Sequence, residues 1–169
     1  MSATQPVTVP SRGRRVVARA LGLAELGHAQ WFFGNCYEAI VRVPDLLAEH
    51  ARASEQAMSP TGSGSPVRYY IAAAPGTLPA IVVATIVGRR DRNGRPWLVT
   101  AAVCSIAGAG VTAYLVRKVN RELFFSNQAL TTEERERLLR RWYRLNVVRL
   151  AATAGAWLAV RTARSRLPR

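Results

Sequence analysis

The sequence predicts an all-α protein: a four-helix transmembrane bundle with a short extramembrane amphipathic helix after its first helix. Two uncharged stretches, 69–88 and 98–116, carry the prediction. Each matches the roughly 20 apolar residues that a helix needs to cross about 30 Å of hydrocarbon. Only residues 89–96 lie before Trp97 at the start of the second stretch, room for a tight turn and a helical hairpin. A third observation extends the hairpin to a bundle. One apolar segment before it and one after it carry polar residues at helical spacing, and arginines gather where the apolar segments end.

Residues 1–15 are rich in Thr, Pro, Ser and Arg and read as a disordered basic tail. The apolar Val16, Val17 and Ala18 after that basic start resemble a signal peptide. Arg19, Glu25 and His28 do not suit a hydrophobic signal core, so the tail is read as mature sequence. The first helix is expected over 16–43, with Pro44 ending it because the residue before a proline avoids the helical region. Asp45 can then cap the amphipathic helix over 46–57. The Ser/Gly/Pro-rich 58–66 reads as a flexible, exposed linker.

The second helix is expected over 67–88, interrupted by Pro75, Gly76 and Pro79, whose freed carbonyls can open a cavity. Asn93 and Gly94 make the turn. The third helix, 96–124, begins with Pro96, whose fixed φ suits a first helical position, and Gly108 and Gly110 allow close packing. Thr131 and Glu134 have capping-box spacing, so the fourth helix is expected over 132–163. Its charged part, 133–141, should lie outside the hydrocarbon, with 142–160 within it. The helical domain thus covers 16–164, and 165–169 form a basic tail.

The 169 residues suit one domain. A composition 49% hydrophobic with a net charge of +14 would suggest nucleic acid in a soluble protein. Here the arginines sit at helix ends, as topology-setting charges do, and no nucleic-acid partner is expected. Cys36 and Cys104 form no Cys-x-x-Cys pair, and their contact in the fold stays open. The chain has no phosphate loop, dinucleotide fingerprint or His-x-x-x-His, and no metal site is expected.

At about 100° per residue, Glu25, His28, Asn35, Glu38 and Arg42 share one broad face of the first helix. That face should line the bundle interior or a water-filled pocket. Simpler roles stand beside a chemical one. Glu38 and Arg42 can neutralise each other, His28 can be a packing histidine, and Glu25 can sit at the interface. On the fourth helix Trp142, Asn146, Arg149 and Thr153 form a stripe. Arg149 keeps its charge in any protein environment and needs a carboxylate, which Glu38 or Glu25 can supply. The stripe is either a structural ion-pair lock or an oxyanion site with Arg149 and Asn146 as donors. Trp31, Phe32 and Phe33 can wall an aromatic pocket, face lipid or fill the core.

Two segments carry a resemblance: WFFGNCYEAIVRVP over 31–44 and WYRLNVVR over 142–149. Both are similar to the DUF1772 membrane proteins, the group that includes the anthrone oxygenase-like proteins. The resemblance covers the four-helix layout and most of the chain after residue 15. It implies a small integral membrane bundle. Anthrone oxygenases of this group oxidise polyketide anthrones to anthraquinones without a cofactor, and many members have no assigned activity. Asn35, Glu38, Asn146 and Arg149 carry over by position.

The reaction so implied takes a hydrophobic aromatic molecule into the bundle. His28 or Glu38 removes a proton, Arg149 and Asn146 stabilise the enolate, and the enolate meets O₂. Trp31, Asn35 and Trp142 would contact the substrate. The alternative is a non-enzymatic accessory or lipophile-binding protein. The partners expected are the lipid bilayer and that aromatic molecule, and nothing in the sequence sets the oligomeric state.

Topology follows from three arginine groups: Arg12, Arg14, Arg15 and Arg19; Arg89, Arg90, Arg92 and Arg95; and Arg161, Arg164, Arg166 and Arg169. Four crossings put all three on one side, the cytoplasm of a cell membrane, with both termini. The connection on the other side also holds many cations, including Arg117, Lys118 and Arg121, and offsets some of them with Glu122, Glu133, Glu134 and Glu136. In a variant lacking Cys36 and Cys104, a cysteine placed in 58–66 should react with an impermeant reagent in intact cells, while one in 89–95 stays protected. The reverse pattern would invert the orientation.

Overall fold

Pro44 does not stop the first helix. In the computed structural model, which describes residues 11–52, 69–70, 74–126 and 130–166, α1 (Ser11–Tyr37) runs through a π-helical turn, Glu38–Arg42, into α2 (Val43–Arg52). The Val43 N–H bonds to the Glu38 carbonyl, five residues back. The wider turn shifts the ladder just before Pro44, which has no N–H and would crowd the carbonyl four residues back in a regular helix. The expected break is thus a change of hydrogen-bond register. The start also differs: residues 11–15, expected in the tail, are helical, as their good helix-forming arginines allow. Residues 1–10, the end of the expected amphipathic helix and the 58–66 linker lie outside the described residues.

α3 (Ala74–Gly88) is apolar and continuous, with Pro79 inside it. The expected interruption there does not occur, since a proline removes one ladder bond and membrane-type helices tolerate that loss. Residues 69–70 are helical as well, and 67–68 and 71–73 are outside the described residues. The turn after α3 is closed by Asp91, whose N–H reaches the Gly88 carbonyl at 3.0 Å. Its carboxylate accepts from the Asn93 N–H at 3.1 Å. α4 (Arg95–Tyr114) has Pro96 in its first turn and passes through a second π-helical turn, Leu115–Asn120, into α5 (Arg121–Phe124).

α6 (Thr132–Ser165) opens on the expected capping box. Thr131 Oγ1 accepts from the Glu134 N–H at 3.2 Å, and the Thr131 N–H donates to Glu134 Oε2 at 3.0 Å. Those bonds, the backbone one foremost, hold the exposed Glu134 carboxyl below the usual carboxylate range.

Two apolar clusters fix the helix order. The first joins Val17, Leu21 and Ala24 of α1 to Ile81 and Ala84 of α3, Leu98 and Ala101 of α4, and Val160 and Ala163 of α6. Beginnings of α1 and α4 therefore meet the ends of α3 and α6, an up-down-up-down arrangement. Its many alanines let the backbones approach closely. The second cluster gathers Val43, Leu46, Leu115, Val119, Leu123, Phe124 and Trp142 at the opposite end.

This arrangement brings Arg12, Arg14, Arg15 and Arg19, the Arg89–Arg95 turn, and Arg161, Arg164 and Arg166 to one end of the bundle. There the Arg166 guanidinium lies 5.1 Å over the Trp97 ring, and Arg164 bridges Glu25 at 2.7 Å. Among the described residues every regular element is a helix, and four long ones form the body. One of them, Arg95–Phe124, is long and apolar enough to cross a membrane, and Pro75–Gly88 is apolar but shorter.

Candidate functional site

Most of the buried polar side chains form two clusters. The larger is built on Arg149, which is 3% exposed, and Glu38, which is 9% exposed. Arg149 Nη2 donates to Glu38 Oε2 at 2.6 Å. Its Nε and Nη2 also donate to Asn146 Oδ1, at 2.9 and 2.6 Å. Asn146 is one turn before Arg149 on α6, so its amide lies beside the guanidinium by helix geometry alone. Across the interface Asn146 Nδ2 donates to the Asn35 carbonyl at 3.4 Å.

The π-helical turn begins at Glu38 itself. Such turns recur where a helix must re-aim a side chain. The Tyr70 hydroxyl donates to Asn35 Oδ1 at 3.0 Å and also lies within hydrogen-bond reach of the Glu38 carboxylate. Gly34 admits that tyrosine pair: a Cβ there would fall 2.5 Å from the Tyr69 ring and 2.8 Å from the Tyr70 hydroxyl. Trp142 places its ring 5.8 Å from the Arg149 guanidinium carbon and anchors its own Nε1 on Asn120 Oδ1 at 3.1 Å. Thr153 caps the Arg149 carbonyl at 3.0 Å. One polar atom of this cluster, Asn35 Nδ2, is buried without a hydrogen-bond partner.

The smaller cluster centres on His28, which is fully buried. Its Nδ1 is 2.7 Å from the Ala24 carbonyl, which can only accept, so Nδ1 carries the hydrogen. Its Nε2 is 2.8 Å from Ser105 Oγ, itself 2.6 Å from the Ala101 carbonyl. Trp31 stacks on the imidazole at 6.3 Å.

His28 and Glu38 therefore do not meet. Ten residues of α1 separate them by about 15 Å of helix rise. Glu38, Asn146, Arg149, Asn35 and Trp142 come together, whereas His28 and Trp31 form a separate packing unit. Glu25 lies apart from both clusters, in an ion pair with Arg164 near the end of α6. Phe32 and Phe33 pack on Trp157 at 6.2 and 5.8 Å. Cys36 and Cys104 are both free thiols.

Sequence reasoning missed Tyr70, Ser105 and Asn120. Ser105 carried a usable signal, the one serine in the apolar span 98–116. Tyr70 carried none, because a tyrosine beginning an apolar segment reads equally well as an interface anchor.

The family model for anthrone oxygenase matches residues 68–159. The match spans more than half of the chain, which belongs to that family. It takes in Tyr70, Ser105, Asn120, Trp142, Asn146, Arg149 and Thr153, while α1 with His28 and Asn35, and Glu38 just after it, precede the match. No curated protein and no solved structure matches the chain.

If the two clusters are independent, their losses add. Ser105→Ala removes the partner of His28 Nε2, and Asn146→Ala strands two guanidinium donors. Each should cost about 1–3 kcal/mol, the penalty for an unpaired buried polar group. The double variant in detergent should lose their sum to within about 0.5 kcal/mol. A larger coupling in thermal unfolding would join the clusters.

Proposed function

Starting from that membership, we propose that the protein is a multi-pass membrane oxygenase that converts an anthrone-type aromatic to its quinone within the helix bundle, without a cofactor. The membrane reading rests on an inverted pattern of polarity. Leu26, Ile40, Val103, Ile106, Val147 and Leu158 are exposed, each by more than half, while Glu38, Asn146 and Arg149 are buried. In water that arrangement would be costly, whereas in lipid it satisfies every surface. With arginine groups at the start of α1, in the α3–α4 turn and at the end of α6, it supports four crossings with both termini on the cytoplasmic side.

The observation that carries the chemical reading is the unpaired Asn35 Nδ2 beside the Glu38–Arg149 pair. A substrate oxygen entering the cluster can accept from Asn35 Nδ2 and Arg149 Nη2. In doing so it displaces the Glu38 carboxylate and leaves that group free as a base. Glu38 then takes a proton from the activated CH₂, and the guanidinium and the Asn35 amide N–H face the enolate charge, with Asn146 Oδ1 holding the guanidinium in place. The enolate carbon adds O₂. Loss of water from the resulting hydroperoxide leaves the carbonyl, so CH₂ and O₂ become C=O and H₂O. His28 has both ring nitrogens engaged elsewhere, which supports Glu38 as the base.

The direct Arg149–Glu38 contact favours a second reading, a non-enzymatic lipophile-binding or accessory protein in which the pair only locks α1 to α6. The assay that separates the two is anthrone oxidation by purified protein. Glu38→Gln should lower the rate by about 10²–10⁴-fold, as general-base removal does. His28→Gln should lose much less at unchanged helical content. The opposite ranking would move the base to His28. An inactive wild type, tried across several anthrones and related phenols, would leave the non-enzymatic reading.

A further inference from the structure

A groove at the end of the bundle opposite the three arginine groups has no part in the chemistry above. It encloses about 540 Å³ and is lined by Tyr114, Arg137, Arg140, Arg141, Arg144 and Leu145. The four arginines recur at spacings of three, one and three on α6, so they form one stripe. All four are exposed. Arg140 has a carboxylate at ion-pair distance, Glu136 at 3.1 Å, and Glu134 acts on Arg137 at longer range. Arg141 stacks its guanidinium 5.1 Å over the Tyr114 ring. Like charges one turn apart repel, and few carboxylates lie near enough to relieve this stripe.

The groove also sits at a change of polarity. On its α6 side the charged turns Glu133–Arg141 lead to it, and just beyond it Val147 and Val148 are exposed by 65% and 51%. Trp142 and Tyr143 lie at the same level, the aromatic position of a membrane interface. Guanidinium forks match phosphate oxygens with two parallel hydrogen bonds. A ligand that suits both halves has an anionic phosphate head at the arginines and an apolar tail along Leu145, Val147 and Val148.

We infer that this groove binds the headgroup of an anionic phospholipid on the face opposite the three arginine groups. The inference rests on the membrane reading proposed above.

The test uses the full chain purified in detergent, with phosphatidylglycerol and phosphatidylcholine as probes and thermal unfolding as the readout. Phosphatidylglycerol at about a hundredfold excess over its Kd should raise Tm by roughly 5 °C or more, and phosphatidylcholine should not. Arg141→Gln with Arg144→Gln should abolish the selective shift. Arg89→Gln with Arg90→Gln, an equal loss of charge at the other end, should keep it. Should the groove variant fold poorly, native mass spectrometry of the wild type supplies the second measurement. Phosphatidylglycerol should then survive ejection from detergent in preference to phosphatidylcholine.

Equal shifts for the two lipids, or an undiminished shift in the groove variant, would overturn the inference. So would the same shift with inorganic phosphate alone, which would make this a free-anion site. A protein that purified without detergent would instead overturn the membrane reading, a separate failure.

Discussion

A guanidinium stays charged at any pH a cell reaches, and Arg149 carries one into the interior of the helix bundle. From Ser165 back to Arg149, α6 rises about 24 Å at about 1.5 Å per residue, which puts the charge far from that end of the bundle. The rest of the structure answers that charge. Glu38 supplies the countercharge from α1 and Asn146 takes two of its N–H groups. Trp142 offers a ring face, and Thr153 bonds the arginine's own carbonyl. The π-helical turn at Glu38 belongs to the same solution, because it starts at the residue that must face α6 and ends beside the proline a regular helix would reject.

On the proposed membrane reading, this polar contact has more to decide than it would in water. Apolar side chains gain little by leaving hydrocarbon for one another, so helix association rests on close packing and hydrogen bonds. The alanine-rich cluster at one end supplies close packing, and the clusters around Glu38 and His28 supply directional contacts between α1, α4 and α6. A buried pair with one unfilled donor beside it is also an arrangement that a polar substrate atom can enter. The same geometry therefore serves the structural lock and the proposed chemistry. The family membership favours the second use, and the tightness of the pair favours the first.

The hairpin, the capping box at Thr131 and the pairing of Arg149 with a carboxylate of the first helix were legible in the sequence, since each follows from charge, spacing or a local rule. The fate of Pro44 was not. The rule that a proline ends a helix assumes an α-helical ladder, and one π-helical turn removes the assumption. Helical periodicity put His28 and Glu38 on one face correctly. It says nothing about depth, and two residues on one face ten positions apart are far apart along the axis. Tyr70 reaches the cluster from the start of the second apolar segment, and its bond to Asn35 and the close approach at Gly34 reveal it.

The central claim is that Glu38 and Arg149 act as one buried unit, and a double-mutant cycle on thermal stability in detergent tests it most directly. Glu38→Gln and Arg149→Gln should each cost about 3–5 kcal/mol, the range for stranding one member of a buried pair. The double variant should lose clearly less than the sum, because neither charge is then left alone. Simple additivity of the two losses would mean that the pair is not coupled, and would contradict the account.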